Sequence, residues 1–334
     1  MIDHTRRPHD LGGLSATAID QSGHDFAYWE KQIDSIMRLV SDKERGLLTV
    51  DELRRNVEEL GPDVYKSLSY YERWILALSD IFLQKGVFTV DEMGRKMSDV
   101  ERSWAADRAF KKERSPHDPA HHHDHEGPHP HQADIEDKEA TRYQVMAKSV
   151  TELLIEKAVF SADTFRQQLE KMDAKTPADG ARMIARAWVD DVYKKRMLAD
   201  VNAAAVELGL DAGSIPIRAV ENTPALHNVI VCTLCSCYPR MLIGLPPDWY
   251  KSHAYRSRTV REPRVVLKEF GTIIPDDIEI RVHDSTADCR YMVVPMQPTG
   301  TEGLSEDALA DLVTRDCMIG VAVVKAPNDH GGRE

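Results

Sequence analysis

Three of the chain's five cysteines fall in one short stretch, Val231-Cys232-Thr233-Leu234-Cys235-Ser236-Cys237-Tyr238-Pro239. The run that leads into it, Asn228-Val229-Ile230-Val231, is apolar and β-branched, which predicts a strand. The loop after that strand therefore carries three thiols in the spacing C-x-x-C-x-C. Three thiolates so close together can face one metal ion, and thiolates select soft or borderline metals.

The spacing alone leaves several kinds of site open. Only three cysteines are offered, so further ligands must come from elsewhere, and the backbone nitrogens between the last two cysteines are the nearest candidates. We call the loop Cys232–Cys237 the claw. The alternatives to a catalytic metal site in the claw are a partial zinc site, an iron–sulfur site or a redox thiol pair. A structural zinc site needs a fourth cysteine or histidine. Cys289 and Cys317 lie next to or within apolar runs, which predicts core positions for both.

Length and composition narrow the class of protein. The 334 residues suffice for about two domains. The net charge of -12 disfavours nucleic acid as a partner. The clustering of the cysteines disfavours a disulfide framework and favours a reducing compartment. The polar N-terminus lacks the apolar core of a secretory signal, and no run of apolar residues is long enough to span a membrane. These features predict a cytoplasmic location.

The sequence pattern of the N-terminal segment, residues 1–105, predicts helices. Apolar residues recur at helical spacing from Trp29 to Val40 and from Tyr70 to Phe82. A short repeat, residues 46–53 and 86–93, contains Thr-x-x-Glu twice, which is the pattern of a capping box. The first copy places Arg54 in the first turns of a helix.

Residues 106–138 have the composition of a flexible linker, because prolines and polar residues without an apolar period cannot bury a core. The linker contains a histidine cluster between His117 and His131. Three interpretations of the cluster stay open: a solvated linker, a segment that gathers metal ions, and a fortuitous composition.

Residues 139–334 predict an α+β or layered α/β domain. Helical patterns come first and strand patterns appear beyond residue 217. The predicted helices cover residues 143–158, 178–188, 192–208 and 305–314, and the predicted strands cover residues 228–231, 278–282, 291–294 and 318–324.

The cysteine stretch resembles the metal-binding motif of the nitrile hydratase α subunit. The resemblance continues through Gly244–Ser252 and Tyr255–Arg258 and covers roughly residues 140–325. Further matching segments are residues 184–188, 260–264, 290–293, 300–303 and 313–316. The N-terminal segment resembles the first half of the nitrile hydratase β subunit at residues 9–13, 29–30, 49–54 and 70–74. The resemblance implies a β-like segment and an α-like domain fused in one chain.

The resemblance also implies a metal and its ligands. The family holds low-spin trivalent cobalt or iron, and Thr233 is similar to the cobalt type. Cys232 would be the axial thiolate, Cys235 and Cys237 equatorial, and the backbone amides of Ser236 and Cys237 would complete the plane. Cys235 would be oxidised to sulfinic acid and Cys237 to sulfenic acid, successive steps of cysteine oxidation.

Further site residues follow from the same resemblance. Cys237 would supply the sulfenate oxygen that acts as nucleophile or base, and Arg54 would bind the oxygens on the sulfurs. Tyr70 would hydrogen-bond to Ser236, and Trp74 would line the pocket. The alternatives are a solvated helix arginine for Arg54 and a core aromatic for Tyr70. The implied reaction is hydration of a nitrile to an amide.

Two departures bear on the substrate and the partners. Arg240 stands where the family usually has tryptophan, which favours a polar or anionic substrate, and Asp211–Ser214 replaces a region that often holds glutamine. The β subunit's SH3-like barrel has no counterpart in this sequence, which predicts a separate barrel subunit, a hetero-oligomer and a metal-inserting activator protein. Three functions stay open: nitrile hydratase, a thiocyanate hydrolase-like enzyme, and a non-catalytic metal-binding accessory protein.

Overall fold

The computed structural model describes residues 7, 9–22, 26–114 and 140–327, with the backbone alone for 111–114. The chain forms two compact units. We call Phe26–Leu169 the helical unit, and Met1–Asp25 together with Glu170–Glu334 the claw unit. Across the described residues, no helix combines the length and the apolar character needed to cross a membrane.

The helical unit is built from amphipathic helices around one apolar cluster. Ile33, Leu78, Phe82 and Leu154 are fully buried in this cluster, and the Tyr71 hydroxyl donates to a buried Asp34 carboxylate at 2.6 Å. The helices are α1 Tyr28–Val40, α2 Val50–Glu59, α3 Pro62–Ser67, α4 Tyr70–Gln84, α5 Val90–Arg114, α6 Arg142–Glu156 and α7 Ala162–Asp173, the last of which runs past the boundary of the unit.

Both predicted capping boxes are present. The Thr49 side chain accepts from the Glu52 amide at 3.1 Å, and the Glu52 carboxylate accepts from the Thr49 amide at 2.7 Å. Thr89 and Glu92 repeat the pattern at 3.2 and 2.8 Å. Each box satisfies amides that a helix N-terminus leaves without an internal partner. Arg54 lies in the second turn of α2, as predicted.

The boundaries of the two compact units differ from those of the domains predicted from the sequence. Helix α6 packs in the helical unit, although the sequence predicts it within the domain 139–334, and the described residues among the first 25 belong to the claw unit. Helix α5 extends to Arg114, so the prediction of a linker from residue 106 is wrong for residues 106–114. The helix continues there because residues 106–115 contain no proline or glycine. The remainder of the predicted linker, with its histidines, lies outside the described residues.

The claw unit mixes helices with two parallel strand pairs, which confirms the predicted mixed fold. Strand β2 pairs with β3 and β1 pairs with β4, each in parallel. The strands are β1 Ile217–Glu221, β2 Leu226–Val231, β3 Glu279–Asp284 and β4 Arg290–Val294. The helices are α8 Ala178–Val189, α9 Asp191–Ala199, α10 Val201–Glu207, α11 Arg240–Ile243, α12 Asp248–Lys251, α13 His253–Arg258, α14 Pro263–Glu269, α15 Glu306–Ala310 and α16 Arg315–Ile319.

Two local predictions for this unit need correction, and one strand was not predicted. The helix expected over residues 192–208 is two helices, because Asp200 ends α9 and its carboxylate caps α10. Strand β1 was not predicted. The strand expected over residues 318–324 is wrong: Thr314 caps α16, and Gly320 ends that helix with a φ of 92°. Glycine suits this left-handed position, and a Cβ there would also lie 2.1 Å from the Asn228 carbonyl oxygen.

Candidate metal centre

The carboxyl ends of β2 and β3 set the position of the cysteine loop. Val231, the last residue of β2, lies opposite Asp284, the last residue of β3. The Asp284 carboxylate accepts from the Thr233 amide at 3.0 Å and from the Thr233 hydroxyl at 2.5 Å. The claw, Cys232–Cys237, follows β2 directly. Its first turn is therefore tied to the neighbouring strand by two hydrogen bonds.

The three thiols of the claw converge on one point. The Sγ atom of Cys235 lies 3.4 Å from that of Cys232 and 3.2 Å from that of Cys237, and the three sulfurs all lie within 4.8 Å of one another. No disulfide joins them. The Cys235 amide also donates to Cys232 Sγ at 3.3 Å. A convergent set of three sulfur donors fits a soft or borderline metal ion.

Burial controls the protonation of these thiols. Cys232 and Cys237 are buried, whereas Cys235 is partly exposed. Burial raises the pKa of Cys232 to about 11. Hydrogen bonds from Cys232 and Cys235, together with burial, raise the pKa of Cys237. Cys232 and Cys237 are therefore neutral thiols at neutral pH without a metal, and a metal ion that binds them as thiolates must release their protons.

Side chains from α12 and α13 hold the backbone of the claw. The Tyr250 hydroxyl donates to the Cys237 carbonyl at 2.9 Å. The buried Arg256 donates from Nε to the Cys232 carbonyl at 3.2 Å and from Nη2 to the Thr233 carbonyl at 3.1 Å. The Tyr255 hydroxyl donates to the Ile230 carbonyl at 2.6 Å. The loop geometry is thus set by residues from outside the loop.

These outer residues were missed as functional residues in the sequence analysis. Tyr250 and Arg256 lie in segments that carried the family resemblance, but the sequence assigned them no role. Asp284 lies two residues after the predicted alternating strand 278–282. A carboxylate after this strand predicts a contact with the claw only if the strand is known to pair in parallel with the strand before the claw. Sequence patterns do not show which strands pair.

The predicted site residues of the claw unit lie close to the sulfurs in sequence. Ser236 is buried between two cysteines, and Leu234 at the loop surface is exposed. Arg240 is half-buried and begins α11, three residues after Cys237. In the segment without the expected glutamine, the Asp211 carboxylate accepts from the Gly213 amide at 2.8 Å.

The other predicted site residues belong to the helical unit. Tyr70 and Trp74 lie on α4 with ring centroids 5.1 Å apart, and both are half-buried. Arg54 on α2 forms an ion pair with Asp51 at 3.6 Å, and its side chain is 20% exposed. The structure groups the two aromatic residues, and the roles of all three residues at the claw stay predictions.

The two remaining cysteines differ from each other. Cys317 is buried in α16, as predicted for a core cysteine. Cys289 is only half-buried, because it lies in the loop between β3 and β4, so its predicted core position is wrong. Neither belongs to the cluster of convergent sulfurs.

Two family models match this chain. The model for "Nitrile hydratase, alpha chain" matches residues 141–322, and the model for "Nitrile hydratase beta subunit, N-terminal" matches residues 6–126. The order of the matches is β-type segment first and α-type segment second, in one polypeptide. The α-type match covers more than half of the chain and contains the whole claw.

Individual relatives agree with this division. The low-molecular weight cobalt-containing nitrile hydratase subunit alpha of Rhodococcus rhodochrous is 46% identical over 54% of this chain and 88% of its own length. Thiocyanate hydrolase subunit gamma of Thiobacillus thioparus is 42% identical over 56% of this chain and 82% of its own length. Thiocyanate hydrolase subunit beta of the same organism is 29% identical over 31% of this chain and 65% of its own length.

Solved structures show the same fold in the α-type part. A recombinant thiocyanate hydrolase with partially modified cobalt centres is 43% identical, with a TM-score of 0.54, over 56% of this chain and 92% of that one. A double mutant of the Fe-type nitrile hydratase from Comamonas testosteroni Ni1 is 44% identical, with a TM-score of 0.51, over 54% of this chain and 89% of that one.

Proposed function

Because the chain belongs to the nitrile hydratase α-chain family, we propose that it hydrates a nitrile to an amide at a cobalt ion held by the claw. The observation that carries the proposal is the convergence of the Cys232, Cys235 and Cys237 sulfurs within 4.8 Å. When bound, a trivalent cobalt ion supplies the Lewis acidity that polarises a nitrile or activates water.

The choice of cobalt, with Fe(III) as the alternative, rests on the relatives and on the claw sequence. Several similar α subunits are named as cobalt-containing, and Thr233 is the residue that resembles the cobalt type. The backbone amides of Ser236 and Cys237 would join the three sulfurs as ligands. The proposal includes Cys235 as sulfinic acid and Cys237 as sulfenic acid, because the family resemblance implies both states. An external oxidant such as dioxygen would have to supply the three added oxygen atoms.

The chain's own residues would bind the substrate and move the proton. As a base, an oxygen on the Cys237 sulfur would accept a proton from the water that attacks the nitrile carbon. As a nucleophile, it would itself bond to that carbon while the nitrile nitrogen takes up a proton, and water would then release the amide and restore the sulfenic acid. Arg54 would bind the oxygens on the sulfurs, since a guanidinium offers paired donors to negative oxygen atoms. Tyr70 would donate to Ser236 and orient the loop, and Trp74 would form an apolar wall.

Thiocyanate is the second candidate substrate, and Arg240 favours it. Arg240 is half-buried and begins α11 three residues after Cys237, and in this proposal its positive charge would lie at the edge of the claw. Such a charge attracts an anion more strongly than a neutral aliphatic nitrile. A nitrile that carries an acidic group would benefit in the same way.

The β-type N-terminal segment bears on the partners. A relative of that segment, the nitrile hydratase subunit beta of Rhodococcus erythropolis, is matched over 43% of its own length. We propose a hetero-oligomer in which a separate SH3-like barrel subunit completes the site and an activator protein inserts the metal, in the cytoplasm. A non-catalytic metal-binding accessory protein is the outcome if no activity accompanies the metal.

The test is an activity comparison on the full chain after expression with cobalt, alone and with its co-purifying proteins. Amide release from a neutral nitrile, amide release from an acidic nitrile and carbonyl sulfide release from thiocyanate are measured for wild type and Arg240→Trp. We expect Arg240→Trp to shift the preference toward the neutral nitrile by about tenfold. Cobalt binding without any of the three activities would identify the accessory protein.

A further inference from the structure

Arg256 is a fully buried cation that binds backbone carbonyls of two separate chain segments. Its guanidinium donates to Cys232 and Thr233 in the claw, and Nη2 also donates to the His9 carbonyl at 3.0 Å. His9 is separated from Arg256 by 247 positions in the sequence. A buried guanidinium is costly unless its donors are bonded, so these carbonyls are strongly held in place.

The second segment is the N-terminal arm, residues 9–22. Its Leu11 amide donates to the Thr233 carbonyl at 3.2 Å, the same oxygen that Arg256 binds. Its Gly13 amide donates to the Ser257 carbonyl at 2.8 Å. A Cβ added at Gly12 would lie 3.1 Å from the Thr233 methyl carbon. The arm therefore lies directly against the claw, at a distance that only glycine allows comfortably.

The far part of the arm is anchored to the same unit. The Thr17 carbonyl accepts from Arg258 at 2.9 Å, and the Ile19 amide donates to the Glu269 carboxylate at 3.0 Å. Ile19 is buried in the main apolar cluster of the unit. Ser15, between the anchored parts, is exposed, and its hydroxyl accepts from the Arg261 guanidinium at 2.9 Å.

We propose that Arg256 and the N-terminal arm form a clamp that fixes the claw from its outer side. Arg256 is then a positioning residue for the sulfur ligands, and the arm shields the claw at Thr233. The clamp itself stands on the contacts described, and its bearing on a metal centre rests on the proposed function. A loop held by the clamp samples open conformations rarely, and a loop released from it samples them often.

The test uses the full-length, metal-free protein and the rate at which N-ethylmaleimide alkylates each cysteine, followed by peptide mapping. Gly12→Val inserts methyl groups against Thr233, and Arg256→Lys keeps the charge but loses the planar fork of donors. In both variants we expect alkylation of Cys235 and Cys237 to accelerate at least about tenfold. Ser15→Ala, the matched control in the arm, should stay within about twofold of wild type.

Cys289 and Cys317 serve as internal references. An unchanged rate at Cys235 in both variants would overturn the clamp, and so would an equal acceleration at all five cysteines, which would indicate general loosening. If Arg256→Lys does not fold, Gly12→Val alone decides. A second readout is the absorption of bound cobalt(II) during titration. We expect Gly12→Val and Arg256→Lys to need about tenfold more cobalt than wild type for half-saturation. A wild-type claw that is shielded but takes up no cobalt would refute the proposed function and leave the clamp standing.

Discussion

The helical unit and the claw unit are ordered by interactions of different range. In the helical unit, the capping boxes of Thr49 and Thr89 join residues three positions apart. In the claw unit, Thr233 binds Asp284 across 51 positions and Arg256 binds His9 across 247. The first kind of order can be predicted from a sequence window, whereas the second requires the fold. A metal site held by long-range contacts should therefore be sensitive to distant substitutions that local patterns do not mark.

The largest effect is expected from Cys235→Ser, which removes one of three convergent sulfurs. We expect the hydration rate to fall by at least about a thousandfold, because a hard hydroxyl oxygen replaces a thiolate ligand. Cobalt content and turnover of the purified full chain are the measurements. The control is Cys289→Ser, which removes a cysteine outside the cluster and should keep the wild-type cobalt content and turnover. Equal losses in the two variants would remove the distinction between claw and non-claw cysteines.

The next effect is expected from Asp284→Ala, which removes both acceptors of Thr233 while leaving every sulfur in place. Outer residues that orient metal ligands typically contribute tenfold or more to metal affinity, so we expect cobalt affinity to fall about tenfold. Asp284→Asn keeps one acceptor oxygen, so its cobalt affinity should lie between those of wild type and Asp284→Ala. The exposed Asp276 supplies the control variant Asp276→Ala, which should bind cobalt like wild type. A wild-type affinity in Asp284→Ala would mean that the strand end does not position the claw.

A smaller effect is expected from Thr49→Ala in the helical unit. Loss of the cap should lower the free energy of unfolding by about 1 kcal/mol, with cobalt content unchanged. Thr89→Ala offers a matched pair, because the second box has the same geometry, and we expect a similar cost. Chemical denaturation together with metal analysis checks both. Loss of cobalt in either variant would contradict this prediction, because it would show that a helix cap in the helical unit affects metal binding as well as stability.

The smallest effect is a pH dependence in the claw unit. Burial lowers the pKa of His227, which bonds to the Gly320 carbonyl at 2.7 Å, and burial also lowers the pKa of His283. The stability that a neutral buried histidine contributes is present above its ordinary pKa of about 6.5 and is lost as pH falls through the lower folded value. Unfolding free energies at pH 7 and pH 5 should therefore differ less in His227→Gln than in wild type. An equal difference would exclude His227 as a source of acid sensitivity.

Sequence patterns predicted the mixed fold, the capping boxes, the strands around residues 228–231 and 291–294, and the cysteine claw. They failed where a local pattern had two solutions: residues 318–324 are apolar enough for a strand, but Thr314 and Gly320 cap a helix there. They also gave no role to Asp284, Tyr250 or Arg256, because these residues act through contacts formed only after β2 and β3 pair. The claw could be predicted because its ligands are adjacent in the chain, and its supports could not because they are distant.

The cobalt site is tested most directly by the X-ray absorption spectrum of cobalt in the full chain, expressed with cobalt and compared with Cys232→Ser. We expect about one cobalt ion per wild-type chain with three sulfur neighbours, and loss of that sulfur set in the variant. A wild-type spectrum dominated by nitrogen and oxygen neighbours, or matured protein with zinc or a disulfide in the claw, would contradict this expectation.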